Sequence, residues 1–453
     1  MSLSPFLLVS CSFLLLAFLL LIIPVLRSNQ KHLIFAGSAL MMLSALAAVA
    51  AGVWTVSNGV VSRVILPLGL PDLPFHIRLD RLSGFFLVVI GLLSSFVSIY
   101  SLGYLKGYLG LRPVTSLVVF SALFLGGMFL VVLSDDAFIF LVAWEMMAAS
   151  SYFLVLFEDE RIDNRRAAFL YLIVAHVGAI SILLSFGVMA GLATGFTGFG
   201  GYTFDAMRET ALPAGWATTA FLLAFAGFSA KAGVVPLHVW LPEAHPVAPS
   251  NVSALMSGVM LKTAIYGIVR VVFDLIGDFP WWWGALVLVF GLVSAVMGVL
   301  YALLQPDLKR LLAYHSVENI GIILIGIGLA MIFTSFDMNL LAALALIAGL
   351  FHTLNHALFK GLLFMGAGAL LYSAGTAKLS ELGGLYKRLP WVFVWYMVAA
   401  VSISGFPLFS GFVSKPMAIT GAAEAHHPWL ALGMEFAAVG TFLSVGIELP
   451  YFA

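Results

Sequence analysis

Phe225-Ala226-Gly227-Phe228-Ser229-Ala230-Lys231-Ala232-Gly233-Val234-Val235-Pro236-Leu237-His238-Val239-Trp240-Leu241-Pro242-Glu243-Ala244-His245-Pro246 is the stretch on which the fold turns. It places Lys231 in an apolar run, then breaks that run with Pro236, Pro242, Pro246 and Pro249 before the next apolar run, which carries Lys262. A charged side chain at the centre of a bilayer costs about 2.5–3.5 kcal/mol on insertion scales, so a lysine there marks a functional site by default. Backbone broken by proline at membrane depth is tolerated only where protein or a water-filled cavity satisfies the freed polar groups.

The chain around this stretch is 62% hydrophobic and only 9% charged, which excludes an ordinary soluble domain and makes it an integral membrane protein. Lys+Arg and Asp+Glu are both 21, so no net charge recruits nucleic acid or an acidic surface. Cys11 is the only cysteine, which excludes an intrachain disulfide, a Cys-ligated iron–sulfur cluster and a CxxC pair. Any electrons that move in this system are therefore carried by another chain. The first apolar run has no basic n-region and is long enough to span, so it reads as a retained transmembrane helix rather than a signal peptide.

Apolar runs of spanning length predict thirteen transmembrane helices, near 4–26, 32–56, 81–103, 114–133, 135–156, 166–191, 217–236, 248–274, 281–304, 310–334, 339–373, 390–420 and 429–448. The runs at 339–373 and 390–420 exceed one crossing and must tilt, protrude or break. Ser404-Gly405-Phe406-Pro407 and Gly411 predict a break in the second.

Basic residues divide unevenly between the two sides. Loops after odd-numbered spans hold twelve (Arg27, Lys31, Lys106, Arg112, Arg161, Arg165, Arg166, Lys309, Arg310, Lys378, Lys387 and Arg388), whereas loops after even-numbered spans hold Arg63, Arg78, Arg81, Arg208 and Arg270. By the positive-inside rule the odd loops are cytoplasmic and the N-terminus lies outside. The four remaining basic residues, Lys231, Lys262, Lys360 and Lys415, all fall within spans, and none is arginine. That bias suits proton handling, because a desolvated lysine gives up its proton near neutral pH and arginine does not.

Polar residues within the spans recur at a nearly fixed offset. Glu145 to His315 is 170 positions, His176 to His352 is 176, Lys231 to Lys415 is 184 and Lys262 to Glu435 is 173. The offsets predict two five-helix repeats, and since five is odd the second lies inverted relative to the first. The expected organisation is three N-terminal spans over 1–113, a first repeat over 114–274, a second over 281–448 and a short end at 449–453.

Glu145, about ten residues into its span, is a candidate gate with Lys231; facing each other, the two would each support the other's charged form. A static ion pair locking two helices is the alternative. His352, His356 and Lys360, at i, i+4 and i+8, share one helical face at roughly 6 Å intervals, a spacing that relays protons with water between. His315, with Glu318 one turn on, is expected to join that relay, and His176, His238 and Glu435 complete the supporting set. Two histidines at i, i+4 also suit zinc, but neither an HExxH glutamate nor a third ligand stands near, so no metal is expected. Lys415 follows the Gly-Phe-Pro break, where unwound backbone admits water, unless it snorkels to an interface. The Gly195-Phe196-Thr197-Gly198-Phe199-Gly200-Gly201 cluster has no preceding strand and reads as a loop, not a dinucleotide site. Asp135 and Asp136 read as a helix cap, and Trp281, Trp282 and Trp283 as an interfacial belt.

These residues give the chain its resemblance to the antiporter-like subunits of respiratory complex I, multisubunit cation/proton antiporters and group 4 [NiFe]-hydrogenases. The motifs are Trp144-Glu145, Ser229-Ala230-Lys231, Pro236-Leu237-His238, Trp240-Leu241-Pro242, Lys262, His352 through His356 to Phe359-Lys360, and Phe412-Val413-Ser414-Lys415. Within the group, Trp240 to Pro246, Val252 to Met260 and Tyr314-His315-Ser316-Val317-Glu318-Asn319-Ile320-Gly321 are most similar to hydrogenase-4 component B and formate hydrogenlyase subunit 3.

The resemblance implies an all-α polytopic fold of fourteen helices, with two inverted five-helix repeats, discontinuous seventh and twelfth helices and a half-channel in each repeat. It implies that Glu145 is the gate partner, Lys231 the proton-binding lysine, Lys262 and Lys360 bridges and Lys415 the terminal group, with His352 and His356 assisting. It further implies a subunit with no redox cofactor of its own in a prokaryotic plasma membrane, beside other membrane subunits and a peripheral hydrogenase or dehydrogenase arm bearing NiFe and iron–sulfur centres. A secondary sodium/proton antiporter without a redox partner, and a plain membrane anchor, are the competing expectations. The chain stops at Leu449-Pro450-Tyr451-Phe452-Ala453, where relatives are expected to continue through another helix.

Overall fold

The computed structural model describes residues 5–409 and 411, except Phe196, Gly198 and Phe199. Those residues are mostly helical, and they form two compact units, one comprising Met1–Lys231 with Lys262–Gly277, the other Ala232–Leu261 with Asp278–Ala453. Among the described residues ten helices are long and apolar enough to cross a membrane. In lipid each such segment must satisfy its own backbone hydrogen bonds, which an unbroken helix does.

In the first unit α1 (Pro5–Leu26) and α2 (Gln30–Asn58) are joined by reciprocal bonds, the hydroxyls of Ser12 and Ser44 each donating to the other's carbonyl at 2.9 Å. A β-hairpin that the sequence reading does not anticipate, β1 (Ser62–Leu70) and β2 (Leu73–Leu79), turns at Pro71-Asp72 and leads into α3 (Arg81–Tyr104). Val64, Ile65, Phe75 and Ile77 favour strand, and Pro67, Pro71 and Pro74 leave apolar runs too short to span, so pairing satisfies the backbone instead. Then follow α4 (Thr115–Leu133), α5 (Ala137–Val155), α6 (Ile162–Ala193), the short α7 (Phe204–Glu209) and α8 (Ala214–Ala232). Asp136 caps α5, accepting from the Ile139 amide at 2.7 Å, while Asp135 pairs with Arg208 at 3.0 Å. The capping expectation thus holds for one of the two aspartates.

One end of this unit is held by an ionic network. Arg270 donates to both carboxylate oxygens of Asp80, at 2.6 and 2.9 Å, and to Asp274 at 2.9 Å; Arg208 binds Asp274 and Asp135, and Arg63 binds Asp205. The sequence reading counts Arg270 with the loop residues although it falls at the end of the predicted 248–274 span; it is buried in a helical run. Its guanidinium is accommodated there because Tyr266 and Ser83 accept its remaining donors.

The second unit contains the broken backbone. α8 stops at Ala232, Gly233 takes a left-handed conformation with φ 76°, and a 3₁₀ turn (Leu237–Trp240) leads into the half-helix α9 (Leu241–Val247). The next run is helical from α10 (Ser250–Leu255) through a π turn (Met256–Met260) to α11 (Leu261–Val269) and a second π turn (Arg270–Ile276). It divides between the units at Lys262.

The rest of the second unit is α12 (Trp281–Ala302), α13 (Leu308–Ser335), α14 (Asn339–Ala374), the short α15 (Leu385–Arg388) and α16 (Pro390–Ser404). α12 and α13 approach closely through Gly284 and Gly328, where a Cβ on Gly284 would sit 2.7 Å from the Gly328 carbonyl oxygen. α14 runs unbroken for 36 residues, about 54 Å at 1.5 Å per residue, so it tilts or protrudes. α16 ends at the expected Ser-Gly-Phe-Pro segment, with Gly405 left-handed at φ 75°. Trp281 and Trp282 are exposed as a belt requires, but Trp283 is buried, because its ring turns into the bundle. The expected span at 429–448, Lys415 and Glu435 lie outside the described residues.

Candidate functional site

Each unit holds a buried cluster of titratable side chains. In the first, Gly178 of α6 and Gly227 of α8 lie so close that a Cβ on Gly178 would come within 2.9 Å of the Gly227 carbonyl oxygen. Small residues at such a crossing let the backbones meet, which brings Tyr171 of α6 up to Lys231 at the end of α8. Lys231 is only 2% exposed, and its amine donates to the Tyr171 hydroxyl at 2.6 Å. That hydroxyl is in turn 2.5 Å from the Ser151 hydroxyl of α5. The lysine nitrogen also lies 4.9 Å from the Tyr171 ring centroid and 6.0 Å from that of Trp144.

Glu145 follows Trp144, yet its carboxylate pairs with His176, at 3.5 Å from Nε2, on a more accessible side of α5 and α6. The Tyr171 hydroxyl, not this carboxylate, occupies the contact position at the lysine nitrogen. His176 also places Nδ1 2.9 Å from the Leu172 carbonyl. Lys262 is fully buried at the first turn of α11, and its neighbour Thr263 donates to the Met147 sulfur of α5 at 3.5 Å.

In the second unit α13 and α14 carry five expected residues, His315, Glu318, His352, His356 and Lys360. His315 Nδ1 lies 2.8 Å from Glu318, both buried and one helical turn apart. Asn319 donates to the His315 carbonyl at 2.7 Å, and its side-chain oxygen accepts from His352 Nε2 at 2.9 Å. His352 and His356 have ring centroids 6.4 Å apart, in keeping with the i, i+4 spacing. Lys360 donates to the Leu312 carbonyl and lies 5.5 Å from the Phe364 ring, against which buried His245 stacks at 4.9 Å. His238 stands apart from this cluster, half-buried near the Tyr301 and Tyr314 rings.

Sequence reasoning misses Tyr171, Ser151, Asn319, His245 and Lys309. Lys309, assigned to a cytoplasmic loop, is buried in the first turn of α13, its amine 2.6 Å from the Ala248 carbonyl and 3.2 Å from that of Pro246. It neutralises the carbonyl end of the half-helix α9, where a cation is favoured. The available signal is its position two residues after Asp307, the α13 cap. Among the described residues no group of three or more His, Cys, Asp or Glu is arranged to hold a metal ion.

With this geometry in hand, comparison with known proteins is specific. Residues 134–443 match the family model described as NADH:quinone oxidoreductase/Mrp antiporter, TM, and residues 66–112 match NADH-Ubiquinone oxidoreductase (complex I), chain 5 N-terminus. Hydrogenase-4 component B of Escherichia coli (strain K12) is 44% identical over 357 residues, covering 78% of this chain and 52% of that protein. Formate hydrogenlyase subunit 3 of the same organism is 31% identical, covering 75% of this chain and 53% of that one. The chain thus spans about half the length of these relatives. A solved Mrp complex from Dietzia sp. DQ12-45-1b superposes with a TM-score of 0.84 at 28% identity, covering 100% of this chain and 80% of that one. The chain is a multi-pass membrane protein and belongs to the NADH:quinone oxidoreductase/Mrp antiporter transmembrane family.

Proposed function

We propose that this chain is a proton-translocating subunit of a membrane redox complex of the hydrogenase-4/formate hydrogenlyase type. The observation that carries the reading is the fully buried Lys231 with its amine on the Tyr171 hydroxyl, an intramembrane lysine with a titratable, hydrogen-bonding neighbour. In the first unit, protons pass by way of Glu145 and His176 to Lys231 and Lys262. In the second they pass among His315, Glu318, Asn319, His352, His356 and Lys360, with His238 on the approach. Lys415 and Glu435 extend the set beyond the described residues, and the two clusters correspond to half-channels in repeats at 114–274 and 281–448.

Redox chemistry is supplied by partner chains carrying NiFe and iron–sulfur centres, in a prokaryotic plasma membrane with the N-terminus outside. Moving one charge against 100 mV costs about 2.3 kcal/mol, so modest coupling to electron transfer suffices. The test is electron-transfer-driven acidification of vesicles bearing the assembled complex with Lys231→Ala or Lys360→Ala. Abolished acidification with intact assembly is expected, and unchanged acidification overturns the reading.

A second reading, secondary sodium/proton antiport without a redox partner, draws on the Mrp name in the family description and in the similar structure. Exchange that depends on sodium and proceeds without an electron donor selects it.

A further inference from the structure

Outside the proton clusters, the first unit contains a cavity of about 480 Å³ lined by Lys31, Ile34, Phe35, Leu102, Lys106 and Leu109. Lys31 is in the first turn of α2, and Lys106 is in the 3₁₀ turn (Leu105–Tyr108) that continues α3. Both therefore sit where helices leave the apolar part of the bundle. The neighbouring loops meet at the same end, since the Gln30 side chain accepts from the Val114 amide at 2.9 Å and Arg112 pairs with Glu160 at 2.8 Å. That end also carries the excess of basic residues.

Arg112 has a carboxylate partner; Lys31 and Lys106 form no ion pair among the described residues, and both are exposed. Two uncompensated cations facing one cavity create a field that favours an anion. The other four lining side chains are apolar, Phe35 is 65% exposed, and α3 continues the apolar surface with Phe96 and Ile99 at 50% and 52%. A free anion has no use for such a surface, whereas a ligand with a charged head and hydrocarbon chains uses both parts. We infer that this cavity binds the headgroup of an anionic phospholipid, its phosphate between Lys31 and Lys106 and its acyl chains along the exposed apolar side chains of α2 and α3. The volume lies within the roughly 300–1,000 Å³ of small-molecule sites.

The experiment is native mass spectrometry of the full chain in detergent micelles doped with phosphatidylglycerol or phosphatidylcholine. Wild type is expected to retain phosphatidylglycerol in preference to phosphatidylcholine. Lys31→Gln/Lys106→Gln should weaken phosphatidylglycerol retention roughly thirtyfold, on the basis of two basic contacts near a membrane surface. The same double variant should leave phosphatidylcholine retention and the melting midpoint in phosphatidylcholine unchanged. Lys31→Arg/Lys106→Arg should preserve binding, and Arg166→Gln, removing an exposed cation elsewhere, should have no effect.

Equal retention by wild type and the Gln variant overturns the site. Competition by millimolar glycerol phosphate equal to that of the lipid overturns the lipid assignment in favour of a free phosphate ester. An effect of the double variant on assembly with partner chains, without any change in lipid retention, overturns it in favour of an acidic protein segment.

Discussion

The amine of Lys231 donates to the hydroxyl of Tyr171 at 2.6 Å, and the carboxylate of Glu145 lies outside contact with it. The proton on Lys231 thus has a neutral, hydrogen-bonded neighbour that also touches Ser151. A hydroxyl so placed accepts from one side and donates to the other.

Tyr171→Phe removes that hydroxyl and leaves the ring packed. Proton movement in vesicles should slow roughly tenfold or more, as a buried hydrogen bond of about 1.5 kcal/mol implies. Unchanged rates would remove Tyr171 from the path.

The Asn319 side chain connects His352 to the helix carrying His315 and Glu318. Asn319→Ala is expected to lower proton transfer at least tenfold while the chain still assembles, by the same hydrogen-bond magnitude. Asn319→Gln, with its oxygen displaced by a methylene, should recover part of the rate. The check is acidification of vesicles together with blue-native electrophoresis of the complex.

Lys309, on α13, holds the carbonyl end of α9. Lys309→Met leaves those carbonyls short of a donor and should cost about 1–3 kcal/mol. The expected readouts are a lower melting midpoint in detergent and faster proteolysis between residues 233 and 249, with Lys309→Arg intermediate.

Asp80 supplies a pH-dependent part of the stability. Burial by itself disfavours the carboxylate, but the hydrogen bonds and charge of Arg270 outweigh it and hold the carboxyl below the usual carboxylate range. A folded pKa below the unfolded one means the stabilisation is complete above the ordinary carboxylate value, about pH 4, and is lost as pH falls through the folded value. Asp80→Asn leaves Arg270 buried with one partner fewer and should cost about 3–5 kcal/mol near neutral pH. The melting difference between wild type and Asp80→Asn should be constant from about pH 5 to 8 and shrink below about pH 4. A difference that does not change with pH would exclude the Arg270 pair as its source.

The chain by itself determined the helices. Run lengths and breakers locate most of the described spans to within a few residues, because in lipid only a helix or a closed barrel satisfies the backbone; the exceptions are Ala214–Val247, expected to end near 236, and the run expected over 248–274, which is divided into four short helical pieces. The same one-dimensional reading picks out Lys231, Lys262, His352, His356 and Lys360, since charge and titratable groups are costly there and stand out from their neighbours. The His315–Glu318 and His352–His356 neighbours are also legible, because helical periodicity alone places residues three and four apart on one face.

Tertiary structure decided the partners. Arg270 reaches Asp80 across 190 positions, Lys231 meets Tyr171 across 60, and Lys309 enters the bundle to bond carbonyls about the Pro249 break. Hydropathy counts Arg270 and Lys309 as loop residues because it prices a charge without its counter-group. Once helices pack through close glycine contacts such as Gly178–Gly227, those counter-groups arrive and burial becomes affordable. Which residue answers which charge is therefore a property of helix packing, which no local pattern in the chain encodes.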